Sequence, residues 1–194
     1  MKKVSLSGSP RANVGKKDAS DLRNKGLIPC VLYGGNGQTH FSINEIALKK
    51  VIWSPDVYNV ELDIAGKKTN AIVKDVQFHK VSDRLQHIDF LELVPNKPVK
   101  LKLPVRLTGS PEGVKKGGKL VQNYRKMNVM GAPEKLPEAI IVDVEKLDIG
   151  QNIRVKNINI DGLRLLETAE SVVAAVETTR NVATEAKDAA AAKK

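Results

Sequence analysis

Pro29-Cys30-Val31-Leu32-Tyr33 is followed by Gly34-Gly35-Asn36-Gly37 and then by Gln38-Thr39-His40-Phe41-Ser42-Ile43. Two short runs carrying Val, Leu, Ile and aromatic residues flank four residues that tolerate turn geometry, which is the pattern of an antiparallel hairpin. Upstream, Lys3 to Gly8 alternates like an opening strand, and Gly8-Ser9-Pro10 is expected to interrupt it. Arg11 to Lys25 can form a helix from about Asp18, closed by Gly26 in a left-handed conformation. Leu22 gives that helix only a thin apolar contact. Downstream, Ser42 and Glu45 have capping-box spacing, so a second helix is expected with Ile46, Val51 and Ile52 facing inward. Tyr58 to Ile64, a turn at Ala65-Gly66-Lys67-Lys68, Thr69 to Phe78 and Leu85 to Val94 then supply strands enough for a sheet or small barrel.

Pro95-Asn96-Lys97-Pro98 marks a boundary, because two prolines remove ladder donors and stiffen the chain. Beyond it, Val99, Leu101, Leu103, Val105 and Leu107 alternate as a half-buried strand despite Pro104. Further strands are expected within Lys119 to Met130, Ala139 to Val144, Ile153 to Ile158 and Ser171 to Val176. The division is therefore 1–94, 95–179 and an Ala/Lys-rich tail at 180–194, readable as a solvated helix or a disordered end. The fold class is mainly β with short helices, a β-rich second domain following the first.

Aromatic residues make up 4% of the 194, so the core must rest on Val, Leu and Ile, which favours strands. A net charge of +10 and a pI near 9.6 attract phosphate backbones or anionic membranes. The lone cysteine, Cys30, excludes an intrachain disulfide and suits a reducing compartment. No apolar run approaches the ~20 residues of a membrane span, and the start of the chain lacks a signal-peptide pattern. The expected location is the cytoplasm.

The three histidines are His40, His79 and His87. His79 and His87 flank a turn near Asp75, Asp83 and Asp89, but their spacing matches no short zinc pattern, and no metal or cofactor is expected. His87 and Asp89, two apart on a strand, share a face and could orient a proton. No Ser or Cys stands in a nucleophile-elbow context, and the glycine-rich loop is followed by a strand instead of a phosphate-cradling helix. An RNA surface asks less of each residue. Arg11, Lys16, Lys17, Arg23 and Lys25 can neutralise phosphates, and Tyr33 can pack on a sugar or base or merely cover the sheet edge. Gln77 and His87 can donate to base edges or support the sheet, and Asp89 can accept from a base amino group or fix neighbouring cations. In the second domain Lys115-Lys116-Gly117-Gly118-Lys119 reads as a mobile basic loop, either a secondary RNA contact at Lys115, Lys116 and Lys119 or a solvated hairpin.

The combination of Gly15-Lys16, Gly26 to Gly35, Asp75-Val76-Gln77, Gln86-His87-Ile88-Asp89-Phe90, Leu107 to Gly118 and Leu147-Asp148-Ile149-Gly150 resembles the bacterial large-subunit ribosomal protein family L-twenty-five in its long form, the general stress protein Ctc family. The resemblance covers roughly residues 3 to 178. It implies a six-stranded barrel-like first domain that binds 5S rRNA in the central protuberance through an internal loop and its adjoining helix. It implies a non-enzymatic role, with 23S rRNA or neighbouring large-subunit proteins as partners of the second domain and no membrane or small-molecule substrate. Carried over by position, the RNA-facing set is Arg11, Gly15, Lys16, Arg23, Tyr33, Gln77, His79, His87 and Asp89, with Arg11 and Lys16 gripping the backbone. Ser20 and Asp21 stand where short members commonly carry arginines. Phe78 and Lys80 stand where the family often has Arg and Pro, which weakens the assignment at His79.

Overall fold

The computed structural model describes residues 1–179 apart from Asn36 and Asn96, so the expectations for the tail and for those two turn positions lie outside the described residues. The chain divides into two compact units, Met1–Leu101 with Gly131–Glu138, and Lys102–Met130 with the described residues from Ala139 on.

In the first unit six strands close into a barrel: β1 (Lys2–Pro10), β2 (Leu27–Tyr33), β3 (Thr39–Asn44), β4 (Tyr58–Ile64), β5 (Lys67–Phe78) and β6 (Leu85–Glu92), in the order β1-β3-β2-β6-β5-β4. Closure leaves no free sheet edge. β1–β4 and β2–β6 are parallel and the other pairs antiparallel. Strand alternation fills the interior: Tyr58, Val60, Leu62 and Ile64 point in from β4, Cys30 and Leu32 from β2, and Phe41 meets Phe90 with ring centroids 5.7 Å apart. Burial pushes the Cys30 thiol far up. It should resist alkylation in the native protein at neutral pH and react only once denaturant opens the barrel, a contrast readable by mass spectrometry.

Three sequence expectations need correction here. β1 runs straight through Gly8-Ser9-Pro10, pairing Ser9 with Ser42 and Pro10 with Phe41. Pairing with β4 ends at Gly8, so Pro10 needs no donor on that side. Gly8 is set by close approach: a Cβ there would lie 2.7 Å from Phe41 Cδ2. Gly8→Val should therefore lower stability by about 1–3 kcal/mol, checked as a fall in the thermal midpoint. Secondly, the cap of the second helix, α2 (Glu45–Ile52), is Asn44, whose side chain accepts from Ile46 N at 2.9 Å, and Ser42 is buried within β3. Thirdly, Ile46 is 74% exposed while Leu48 and Val51 are buried. Two residues of helix turn the chain by ~200°, so Ile46 and Leu48 cannot share a face.

The first helix, α1 (Lys16–Asn24), begins earlier than its composition suggested and buries no residue. Gly26 then takes φ +74 as expected, and its carbonyl accepts from Glu45 N.

In the second unit, β10 (Ile140–Asp143), β7 (Val99–Thr108), β9 (Lys126–Gly131) and β12 (Leu163–Leu165) form one sheet, and β11 (Asn152–Arg154), β13 (Val172–Glu177) and β8 (Lys119–Gln122) another. Its buried apolar residues include Leu103, Val105, Met127, Val129, Ile140, Val142, Val144, Leu147, Val155, Val173, Ala174 and Val176. The Lys119 to Met130 stretch splits between sheets, and Ile153 to Ile158 passes from β11 into a 3₁₀ turn at Val155–Asn157. The Lys115 to Lys119 stretch begins at the last residue of the short helix α3 (Glu112–Lys115) and passes through a tight turn into β8. Gly113 N donates to Leu147 O, Gly118 N donates to Gly113 O, and a Cβ on Gly113 would lie 2.7 Å from Ile149 N.

Candidate nucleic-acid interface

Strand register assembles the site on the outer wall of β2, β6 and β5. Ile88 and Phe90 of β6 point into the core, so His87 and Asp89 point out. β5 lies antiparallel to β6 with Gln77 opposite His87 and Asp75 opposite Asp89, while β2 lies on the other side with Val31 opposite Asp89 and Tyr33 opposite Leu91. The register shifts twice along β5–β6, between Val73 and Asp75 and between Gln77 and Phe78. The first of these shifts puts Asp75 and Gln77 on the outer face with His87 and Asp89.

His87 Nδ1 lies 2.8 Å from Asp89 Oδ1, and both side chains are little more than a quarter exposed. The contact is a close ion-pair distance but is not directed as a hydrogen bond, and Nδ1 has no acceptor in line. Burial, and after it the Asp89 and Asp75 carboxylates, push the Tyr33 phenol up. It therefore stays protonated at neutral pH and can donate. The wall thus offers an amide, an imidazole, two carboxylates and a phenol: groups that read base edges and riboses more than they attract phosphates.

α1 brings the positive charge. Lys16, Lys17, Arg23 and Lys25 are exposed, and α1 lies against β2. Only Asp18, Ala19 and Leu22 are half-buried and no residue of α1 is fully buried, so polar tethers at both ends help to hold it. The second register shift leaves Gln86 without a β5 partner, and its carbonyl accepts from Arg23 Nε at 3.0 Å. At the other end Arg11 Nη2 donates to Asp18 Oδ2 at 2.6 Å. The Arg11 side chain is only 8% exposed, and its Nε is buried without a hydrogen-bond partner. Gly15, extended just before the helix, has no protein atom within 4 Å of a would-be Cβ, so the fold itself does not demand glycine there.

The sequence-derived residues thus separate. Tyr33, Gln77, His87 and Asp89 come together on one wall, with Arg23 tied to it. Arg11 is placed beneath α1, more tether than open cation. His79 sits in the β5–β6 turn, where Nδ1 takes Ser82 N–H at 3.2 Å. Lys116 pairs with Asp148 Oδ2 at 2.9 Å, and Lys115 and Lys119 are exposed. Ser20 and Asp21 are exposed on α1. Asp75 was legible only as a neighbour of His79 and His87, and neither the tethering role of Asp18 nor that of the Gln86 carbonyl was legible; the last depends on a bulge, which leaves no compositional mark. A cavity of 430 Å³ lies elsewhere, lined by residues including Leu32, Thr39, Ile64 and Lys67, and none of the wall residues reaches it. Among the described residues no group of three or more His, Cys, Asp and Glu could hold a metal, and no helix is long and apolar enough to cross a membrane.

A family model described as the Ribosomal L25p family matches residues 6–90. Another, described as Ribosomal protein TL5, C-terminal domain, matches residues 98–180. The chain is 43% identical over 182 residues to the large ribosomal subunit protein bL25 of Porphyromonas gingivalis, covering 93% of this chain and 95% of that one. The chain belongs to the ribosomal L25p family. It is 41% identical to the bL25 of Phocaeicola vulgatus, over 93% of this chain and 94% of that one, and 39% identical to that of Bacteroides thetaiotaomicron, again over 93% and 94%. As an L25p-family protein it is a structural, rRNA-binding constituent of the large ribosomal subunit, works where ribosomes work in the cytoplasm, and is not an enzyme.

Proposed function

We propose that this chain binds 5S rRNA in the central protuberance, its barrel wall reading an internal loop while α1 holds the adjoining backbone. The observation that carries this is the single outer face formed by Tyr33, Gln77, His87 and Asp89 beside a helix whose lysines make no ion pair among the described residues. Lys16, Lys17 and Arg23 supply the salt-sensitive attraction, and Gln77, His87 and Asp89 supply discrimination. Gly15 leaves room for close approach of a phosphate, and Arg11 serves the interface by fixing α1. His79 adds an edge contact through its exposed ring. We keep the division at residues 95–98, and assign the second domain a secondary contact with 23S rRNA or a neighbouring large-subunit protein, through Lys115 and Lys119 with Lys116 drawn toward Asp148.

Hydroxyl-radical footprinting of 5S rRNA with the complete chain tests this reading. A continuous protected patch spanning an internal loop is expected, shrinking at the loop in His87→Ala and at the flanking backbone in the Lys16→Ala, Lys17→Ala double variant. No protection with wild type, or the same loss in both variants, would refute the division of labour. Replacing Lys115, Lys116 and Lys119 by alanine should leave that footprint intact and weaken retention on whole large subunits.

A further inference from the structure

We infer that the barrel rim carries a second RNA-binding element, an aromatic platform of Trp53 and Phe78 that stacks an unpaired base, flanked by Lys49 and Lys50 on its phosphates. This rests on the RNA reading above and adds a subsite to it. Trp53 is 59% exposed and Phe78 39%, yet their rings meet with centroids 5.5 Å apart at 44°. The buried side of α2 is Leu48 and Val51. Ile46, Lys49, Lys50 and Trp53 recur at i, i+3, i+4 and i+7, so they share the opposite, outward face. That face therefore presents an apolar residue, two cations and an aromatic ring in sequence. Phe78 extends the ring surface from the end of β5, followed by exposed His79 and Lys80.

Topology joins this platform to the wall. Leu27 at the start of β2 pairs with Asn44 at the end of β3, β6 starts parallel to β2, and β5 ends antiparallel to β6. Those four ends lie on one rim, α2 leaves from it, and Gln77 and His87 stand on the wall one residue in from Phe78 and two in from Leu85. Aromatic rings with interleaved lysines suit a base and its phosphates, because every base has a π face and stacking tolerates sequence. The positive flank disfavours a basic or purely apolar protein partner.

Trp53 is the chain's one tryptophan, so its fluorescence reports on the platform alone. The complete chain is titrated with 5S rRNA and, separately, with a mixed-sequence single-stranded oligoribonucleotide, while RNA retention is measured independently. Quenching that saturates with retention is expected for both. Trp53→Ala should weaken 5S rRNA binding roughly 5- to 150-fold, the range for removing one stacking partner from a base, with Trp53→Phe recovering part of it and thermal midpoints little changed. Phe78→Ala should reduce quenching while leaving Trp53 in place. Retention without quenching, and with full affinity in Trp53→Ala, would overturn the platform and leave the RNA reading standing. No retention of either RNA would overturn both. A change of emission only on joining large subunits would assign the rim to a neighbouring protein and overturn the proposal.

Discussion

Arg11→Ala should weaken 5S rRNA binding by about tenfold or more, and Asp18→Ala should do nearly the same although it removes a negative charge. The Arg11 side chain is 8% exposed and is committed to Asp18 at 2.6 Å, while α1 buries no residue of its own. A hydrogen bond between charged groups is worth about 1.5–3 kcal/mol, and a nine-residue helix is marginal without tertiary contacts. Cutting the tether should therefore let α1 fray and scatter Lys16 and Lys17. The barrel core is untouched, so the thermal midpoint should move little while amide-exchange protection in α1 collapses. A double variant should be no worse than either single one, since both cut the same link. If Arg11 instead gripped a phosphate, Asp18→Ala would strengthen binding or leave it unchanged. Measured affinities for the three variants separate these outcomes.

His87→Ala is expected to cost about 1–3 kcal/mol of discrimination, in the range of a specific base contact, against 5S rRNA and little against an unrelated duplex. The imidazole lies opposite Gln77 and 2.8 Å from Asp89, so its removal also frees the carboxylate from its neighbour. Lys16→Ala with Lys17→Ala should weaken both RNAs alike and flatten the fall of log affinity with log salt by about 0.7–0.9 for each phosphate no longer neutralised. Equal losses on both RNAs in His87→Ala would show that the wall supports the fold without reading sequence.

Much of the barrel was legible because a closed sheet leaves its period-two mark. Tyr58 to Ile64 alternates in the sequence and alternates in burial, and glycine at position 26 announced a left-handed residue that is found at φ +74. Local signals failed where a tertiary neighbour decides. Gly8 and Pro10 look like breakers, yet one accommodates the Phe41 ring and the other lies beyond the end of β4. Ser42 and Glu45 have capping spacing, yet the strand keeps Ser42 and hands the cap to Asn44. The wall residues were legible as residue types, and partly through family resemblance. That His87 and Asp89 share a face followed from their spacing, but that Gln77 joins them did not, because the register shift between Val73 and Asp75 resets the parity of β5 against β6. Arg11 shows the converse: its type and basic setting give no sign that its side chain is 8% exposed and paired with Asp18.

The proposed recognition of 5S rRNA combines salt-dependent backbone contacts with salt-insensitive wall contacts. The most direct measurement is equilibrium binding of the complete chain to 5S rRNA and to an unrelated duplex of equal length across a range of salt. The expected result is tighter binding to 5S rRNA at every salt concentration, with both affinities falling linearly on logarithmic axes and the preference surviving at high salt. Equal affinity for the two RNAs, or a weak interaction indifferent to salt, would contradict it.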